Sequence, residues 1–387
     1  MSSTANSIWK QHIELLDMQG LIITPLIRQA LFAVDIQDFV ENIYIKDLDD
    51  VASSDKPFRP SINRLQILAN MLHERPVAFS YGQGNPPNRH LLPEPLLITM
   101  LEALEVERGM RACEIGSRTG YVLALLSEMV GTARNVCGVC VDSAQRWPTQ
   151  RSLAKAGFSS AEVRTIVDGL VSARPFDRIL VTVGCEDVHP EWLVALRQGG
   201  TILVPMRHGF HYPILRVFMK GHTVLARVVG DAGRSIDSVG SKNHLGSQTE
   251  HSIDSCGLGL NKTRLFTNES TASIYDFLFY LAVTVPDFRL LRVSNGDNIP
   301  TFVPGLDRGT MGCAYINLPS EEVFGNSDGI RSIEDMKSDW LNIGSPCKSD
   351  YEIEFRGHDE QIGREVLRDG RWVIDRAFHC EVISLTK

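Results

Sequence analysis

Between residues 110 and 205, short runs rich in β-branched and apolar residues alternate with helix-period stretches, and that alternation most restricts the fold of the chain. Strands are expected at Met110–Ile115, Asn135–Val141, Val163–Val167, Phe176–Val183 and Thr201–Val204. Helices are expected at Gly120–Val130, Trp147–Ala156 and Glu191–Leu196. Strands joined through helices are reached by right-handed crossovers, so the core is an α/β unit around a mostly parallel sheet.

The flanking segments read differently. Two amphipathic patterns, Ile8/Ile13/Leu15/Leu16 and Leu26/Ile27/Ala30/Leu31/Phe32, are separated at Gly20, and Leu97, Met100, Leu101 and Leu104 mark a helix that opens at Pro95. Residues 231–260 are rich in Gly, Ser, Asp and His and read as a linker or mobile lid. Beyond them, helix Ile274–Val283 and strands Gly312–Leu318, Tyr351–Phe355, Trp372–Ile374 and Ile383–Leu385 predict a smaller α+β unit. The expected division is a helical region at 1–75, the α/β domain at 76–230, the linker, and the α+β domain at 261–387.

Charge and cysteine usage exclude several classes. With 47 acidic against 39 basic residues the net charge is −8, which argues against a basic nucleic-acid coat, so no nucleic-acid partner is expected. No apolar run approaches the roughly 20 residues of a membrane span, and Met1–Thr4 lack the start of a secretion signal. A cytoplasmic protein without a membrane partner is expected. The eight cysteines are scattered and read as reduced and buried. Cys137 and Cys140 have CxxC spacing inside a strand, where their side chains point to opposite faces, and no second CxxC follows. His208-x-x-His211 brings no acidic third ligand and reads as surface or substrate-pocket histidines, so no metal site is expected.

The stretch Ala112-Cys113-Glu114-Ile115-Gly116-Ser117-Arg118-Thr119-Gly120-Tyr121 ends a hydrophobic strand in an acid and opens a helix through a Gly-containing turn. Ligands of doubly wound sheets bind at the carboxyl ends of the strands, where glycine permits close approach of the backbone. Asp142 follows the second strand, Asp168-Gly169 the third, and Gly199-Gly200 opens the run to Pro205. One adenosine-bearing ligand spans such positions.

This ordered set resembles the protein-L-isoaspartate O-methyltransferase family. Phe32-Ala33-Val34-Asp35 with Phe39, Gly82-Gln83-Gly84, Glu114-Ile115-Gly116 with Thr119-Gly120-Tyr121, Asp168-Gly169, the run to Val183 and Gly199–Pro205 carry the likeness over roughly residues 25–220. The resemblance implies a Rossmann-like class I methyltransferase fold with a mostly parallel seven-stranded sheet. It also implies S-adenosylmethionine held by Glu114, Gly116, Ser117, Thr119, Gly120, Cys140, Val141, Asp168, Gly169 and Thr182. It places Tyr81, Gln83, Arg89, His90, Pro93, Glu94 and His208 on the substrate side and implies methylation of a carboxylate of a peptide or protein. The extension after residue 220 is similar to that of family-like enzymes in gene clusters for ribosomally made, modified peptides, which implies a place in peptide natural-product biosynthesis.

Three positions depart from the family pattern. Arg118 replaces a glycine, and its guanidinium either turns to solvent or crosses the pocket. Cys140 stands where the family has a ribose-binding acid, and a thiol makes no bidentate charge-assisted pair. Leu91-Leu92-Pro93-Glu94-Pro95 puts proline in place of a substrate-binding hydroxyl, with Glu94 set to repel an anion. Arg89 or His90 in the preceding insertion either supplies a replacement cation or belongs to a rigid surface loop. Methyl transfer to an ionised carboxylate requires no strong base, so no catalytic side chain is singled out. Two alternatives stay open: a degenerate or repurposed scaffold that binds a peptide or partner, and a small-molecule methyltransferase.

Overall fold

The computed structural model describes residues 2–39, 42–44, 77–80, 89–170, 175–209, 211–232, 252–254, 261–265, 271–294, 300–308, 312–318, 320–358 and 371–386. Two compact units share the chain: Met1–Pro205, Ile214–His222 and Val229–Val239 in the first, and Met206–Pro213, Thr223–Val228 and Gly240–Lys387 in the second. The chain therefore passes between units more than once, where the sequence predicts consecutive domains.

In the first unit, α1 (Ser2–Met18) and α2 (Pro25–Ala33) precede a small antiparallel sheet of β1 (Asn42–Tyr44), β2 (Val77–Ser80) and β3 (Arg89–Leu91). Helix α3 (Glu94–Leu104) follows, opened by Pro93. Its Glu102 Oε1 accepts from the backbone N–H groups of Ile23 (2.7 Å) and Thr24 (2.9 Å), which fixes the start of α2. The α/β core comprises β4 (Ala112–Ile115), α4 (Tyr121–Val130), β5 (Val136–Cys140), α5 (Arg146–Lys155), β6 (Glu162–Thr165), β7 (Phe176–Val181), α6 (Pro190–Ala195), β8 (Leu196–Pro205) and β9 (Pro213–Lys220). Strands run β6-β5-β4-β7-β8, all parallel, with β9 antiparallel to β8. The expected mostly parallel sheet is present. Its order reverses at β4, so the carboxyl ends of β4, β5 and β7 flank the crevice of such a fold. Gly138 on β5 lets α4 seat on the sheet, since a Cβ there would lie 2.4 Å from Leu123 Cδ1.

The second unit holds most of β10 (Thr223–Asp231), then β11 (Ser252–Asp254), β12 (Asn261–Arg264), α7 (Thr271–Thr284), β13 (Phe288–Ser294), β14 (Pro300–Asp307), β15 (Cys313–Asn317), β16 (Glu322–Gly325), α8 (Ser327–Asn342), β17 (Tyr351–Arg356), β18 (Arg371–Asp375) and β19 (Cys380–Leu385). A six-stranded sheet, β11-β13-β14-β15-β16-β12, is antiparallel except at β11–β13. A second antiparallel set runs β10-β17-β19-β18. Phe277, Leu281, Ile316, Val323, Ile333 and Trp340 form the core under α7 and α8. The expected linker contains β11 and the end of β10, and its remainder from 233 to 251 and from 255 to 260 lies outside the described residues. Among the described residues no helix is long and apolar enough to cross a membrane.

Candidate active site

Where β4 ends, its carboxyl-terminal turn is tied to both neighbouring strands. The backbone N–H groups of Gly116 and Ser117 both donate to Val139 O of β5, at 2.9 and 3.0 Å, and Thr182 N, just past β7, donates to Ile115 O at 2.9 Å. Gly116 takes φ 101°, and a Cβ on it would lie 2.7 Å from Val183 Cγ1. A side chain there would therefore close the crevice from within.

Glu114 is buried under this turn at 3% exposure, and Thr182 Oγ1 donates to its Oε1 at 3.1 Å. Its Oε2 makes no hydrogen bond. Burial pushes the Glu114 pKa up to about 7, against the opposing pull of the Ser117 and Thr182 hydroxyls and the Arg118 guanidinium. Arg118 is half-buried and its charge is felt at Glu114, so it is not simply a solvated surface cation. Thr119 Oγ1 accepts from Tyr121 N at 3.1 Å, and Gly120 opens α4 at φ 90°.

The opposite rim is formed by the ends of β5 and β6. Cys140 is fully buried, with its thiol 3.9 Å from Thr149 Oγ1, which in turn donates to Arg118 O at 2.9 Å. The thiol at the end of β5 thus packs against α5 through Thr149, which is bonded to the β4 turn. Val141 is half-buried, whereas Asp142 is exposed, with Oδ1 accepting from Ala144 N at 2.9 Å. Asp168 uses one oxygen, Oδ2, to accept from Thr165 N (2.7 Å), Thr165 Oγ1 (2.9 Å) and Arg146 Nη1 (3.5 Å). The Thr165 backbone N–H and hydroxyl hold its carboxyl below the usual range. Gly169 has φ 71° and open space where a Cβ would stand.

Apolar side chains remain in solvent beside this acid: Val167 is 88%, Trp147 72% and Ile166 50% exposed. The sequence reading put Ile166 and Val167 inside a strand and Trp147 in a helix; the strand in fact ends at Thr165, which leaves Ile166 and Val167 between it and the acid. The whole arrangement offers a buried acid for a cationic head, flat apolar contacts for a ring, and acceptors at Asp142 and Asp168 for donors on its edge.

The substrate-side expectations scatter. Tyr81 and Gln83 lie outside the described residues, and Arg89 and His90 are in β3. Pro93 is buried at the start of α3. Glu94 is fully buried and accepts from Tyr121 Oη at 3.1 Å, and burial pushes its pKa up to about 8. It is protonated at neutral pH and so repels nothing, contrary to the sequence expectation. His208 and His211 are buried too, at 1% and 2%; His208 Nε2 lies 3.2 Å from Glu381 Oε2 within the second unit, so neither is a surface histidine.

Comparison with known proteins accords with this geometry. The family model for protein-L-isoaspartate(D-aspartate) O-methyltransferase matches residues 93–232. A protein-L-isoaspartate O-methyltransferase of Methanococcus maripaludis is 32% identical over 157 residues, covering 38% of this chain and 68% of the relative. The chain belongs to the protein-L-isoaspartate O-methyltransferase family. Members of this family are S-adenosylmethionine-dependent carboxyl methyltransferases. A Thermotoga maritima relative is 28% identical over 144 residues, and the chain spans 43% of its length. A solved protein-L-isoaspartate O-methyltransferase shares the fold with TM-score 0.50 and 17% identity, covering 89% of this chain and 95% of the other. The three positions expected to depart from the family pattern are thus Arg118, half-buried at the β4 turn, Cys140, buried at the end of β5, and Pro93, buried before α3.

Proposed function

We propose that this chain is an S-adenosylmethionine-dependent O-methyltransferase that esterifies an aspartyl- or isoaspartyl-type carboxylate of a peptide or protein, in the biosynthesis of a modified-peptide natural product. The observation that carries the reading is the buried, half-partnered Glu114 beneath a turn that only glycine at 116 keeps open. Glu114 supports the cationic methionine end, while Ile166, Val167 and Trp147 cover the adenine and Asp168 takes its amine. Asp142, two residues beyond Cys140 and exposed, takes over the ribose hydroxyls. When bound, the cofactor supplies a methyl group already activated for displacement.

The chain's own contribution is placement. Nucleophile and methyl group held in line gain several kcal/mol without a general base. An acceptor that is already ionised, as a carboxylate is, needs no general base to attack the methyl group. The substrate-side proline disfavours general isoaspartate repair, and the likeness of the extension after residue 220 is the source of the natural-product assignment.

The test exploits Glu114. Its pKa of about 7 falls when a cation binds beside it, so affinity for S-adenosylmethionine should rise with pH through about 7, with proton release on binding. Calorimetry in buffers of different ionisation enthalpy measures both, and Glu114→Gln should abolish the proton release. Absence of any binding heat overturns the reading in favour of a repurposed scaffold, to which the buried Cys140 would then point. Acceptor class is tested by mass spectrometry of co-encoded peptides, where one added methyl on an acidic residue is expected.

A further inference from the structure

In the second unit, strand register assembles a group that the sequence separates. Cys380 opens β19 and lies directly opposite Asp375 of β18 and Arg356 of β17. Directly opposed residues project from the same face of a sheet, and His358 follows two residues after Arg356, just past the end of β17. The side chains do converge: Cys380 Sγ lies 3.4 Å from His358 Nδ1 and 3.1 Å from Asp375 Oδ1, and all three donor atoms lie within 4.8 Å of one another. Arg356, on the same face, is held by Glu354 at 2.6 Å, which neutralises the nearest guanidinium.

We propose that His358, Asp375 and Cys380 form a binding site for a zinc-class divalent metal ion. One thiol, one imidazole and one carboxylate are the donor types such an ion takes, and tetrahedral ligands at usual zinc bond lengths stand about 3.3–3.6 Å apart. The two distances to Cys380 Sγ are close to that spacing before any adjustment. His358 and Asp375 are exposed while Cys380 is buried, so the thiol forms the floor and the other two the mouth. Three protein ligands leave the fourth position to water. Binding converts the Cys380 thiol to a metal-bound thiolate and releases its proton to solvent. The ion would clasp the chain at 358, just past β17, to the β18–β19 hairpin.

The test uses the full chain, stripped with chelator, with Co(II) and Zn(II) alone as probes. Co(II) should produce a thiolate-to-metal charge-transfer band that saturates at one equivalent and is displaced by Zn(II). Cys380→Ser should remove the band. His358→Gln and Asp375→Asn, at exposed positions that leave folding intact, should each weaken Zn(II) binding by more than about ten-fold, since even an outer partner of a metal ligand is worth 10–100-fold. The proposal is overturned if no charge-transfer band forms, if it survives Cys380→Ser and so belongs to other thiols such as Cys137 and Cys140, or if the two exposed substitutions leave Zn(II) affinity unchanged. In any of those outcomes the three residues form only a hydrogen-bonded cluster.

Discussion

Glu94 is a carboxyl group enclosed by protein, one of whose oxygens makes no hydrogen bond while Tyr121 satisfies the other. Its folded pKa of about 8 lies above the ordinary 4.5, so the folded state retains a proton that the unfolded chain has given up. The stability this gives is fully present below about 4.5 and is lost as pH rises through about 8, an effect of at most about 5 kcal/mol. Denaturant midpoints at pH 5, 7 and 9 should therefore fall across the series, and Glu94→Gln should flatten the fall; a wild-type midpoint independent of pH would refute the assignment. The sequence places Glu94 just before a helix opening at Pro95, one residue short of the helix observed, and nothing in the pattern Pro-Glu-Pro says that the acid turns inward.

At the level of elements, the β4 turn concentrates the consequences. Gly116→Ala puts a Cβ into Val183 and forces a left-handed φ on a side-chain residue, so a loss of about 1–3 kcal/mol is expected, together with loss of S-adenosylmethionine binding. Thermal shift with and without the cofactor checks both, and unchanged binding would mean that the turn is not the cradle. Strands and helices from β4 to β8 were legible because apolar period and glycine punctuation agree there. The packing of Cys140 was not: every residue of β5 is buried, so alternation carries no sign of which neighbour its thiol meets. Helix α8 was missed although Ile330, Ile333, Met336 and Trp340 recur at helical spacing along one face, a stripe present in the sequence that the reading passed over. The cluster of His358, Asp375 and Cys380 was equally hidden, since the pairing of β17, β18 and β19, not spacing, brings it together.

Across the whole chain, the two units carry opposite acid–base liabilities. Glu381 is fully buried, yet although burial raises its pKa, Arg376 at 2.8 Å and His208 at 3.2 Å outweigh this and hold the carboxyl below its usual range. Its contribution to stability is present above about 4.5 and is lost as pH falls through the depressed folded value, the reverse of Glu94. Glu381→Ala strands Arg376 and His208 inside the second unit and should cost about 3–5 kcal/mol in denaturant unfolding, with a cost under about 1 kcal/mol refuting the buried triad. The sequence could not anticipate this, since His208 and Glu381 are brought together only by the tertiary fold. The same interleaving bears on how the gene can be divided. A fragment stopping at residue 232, where the family match ends, would retain the His208–His211 turn but lack Phe279 and Glu381, against which those imidazoles are sheltered. Such a fragment would expose a wet, unmatched seam and clump, so expression trials should keep the gene whole.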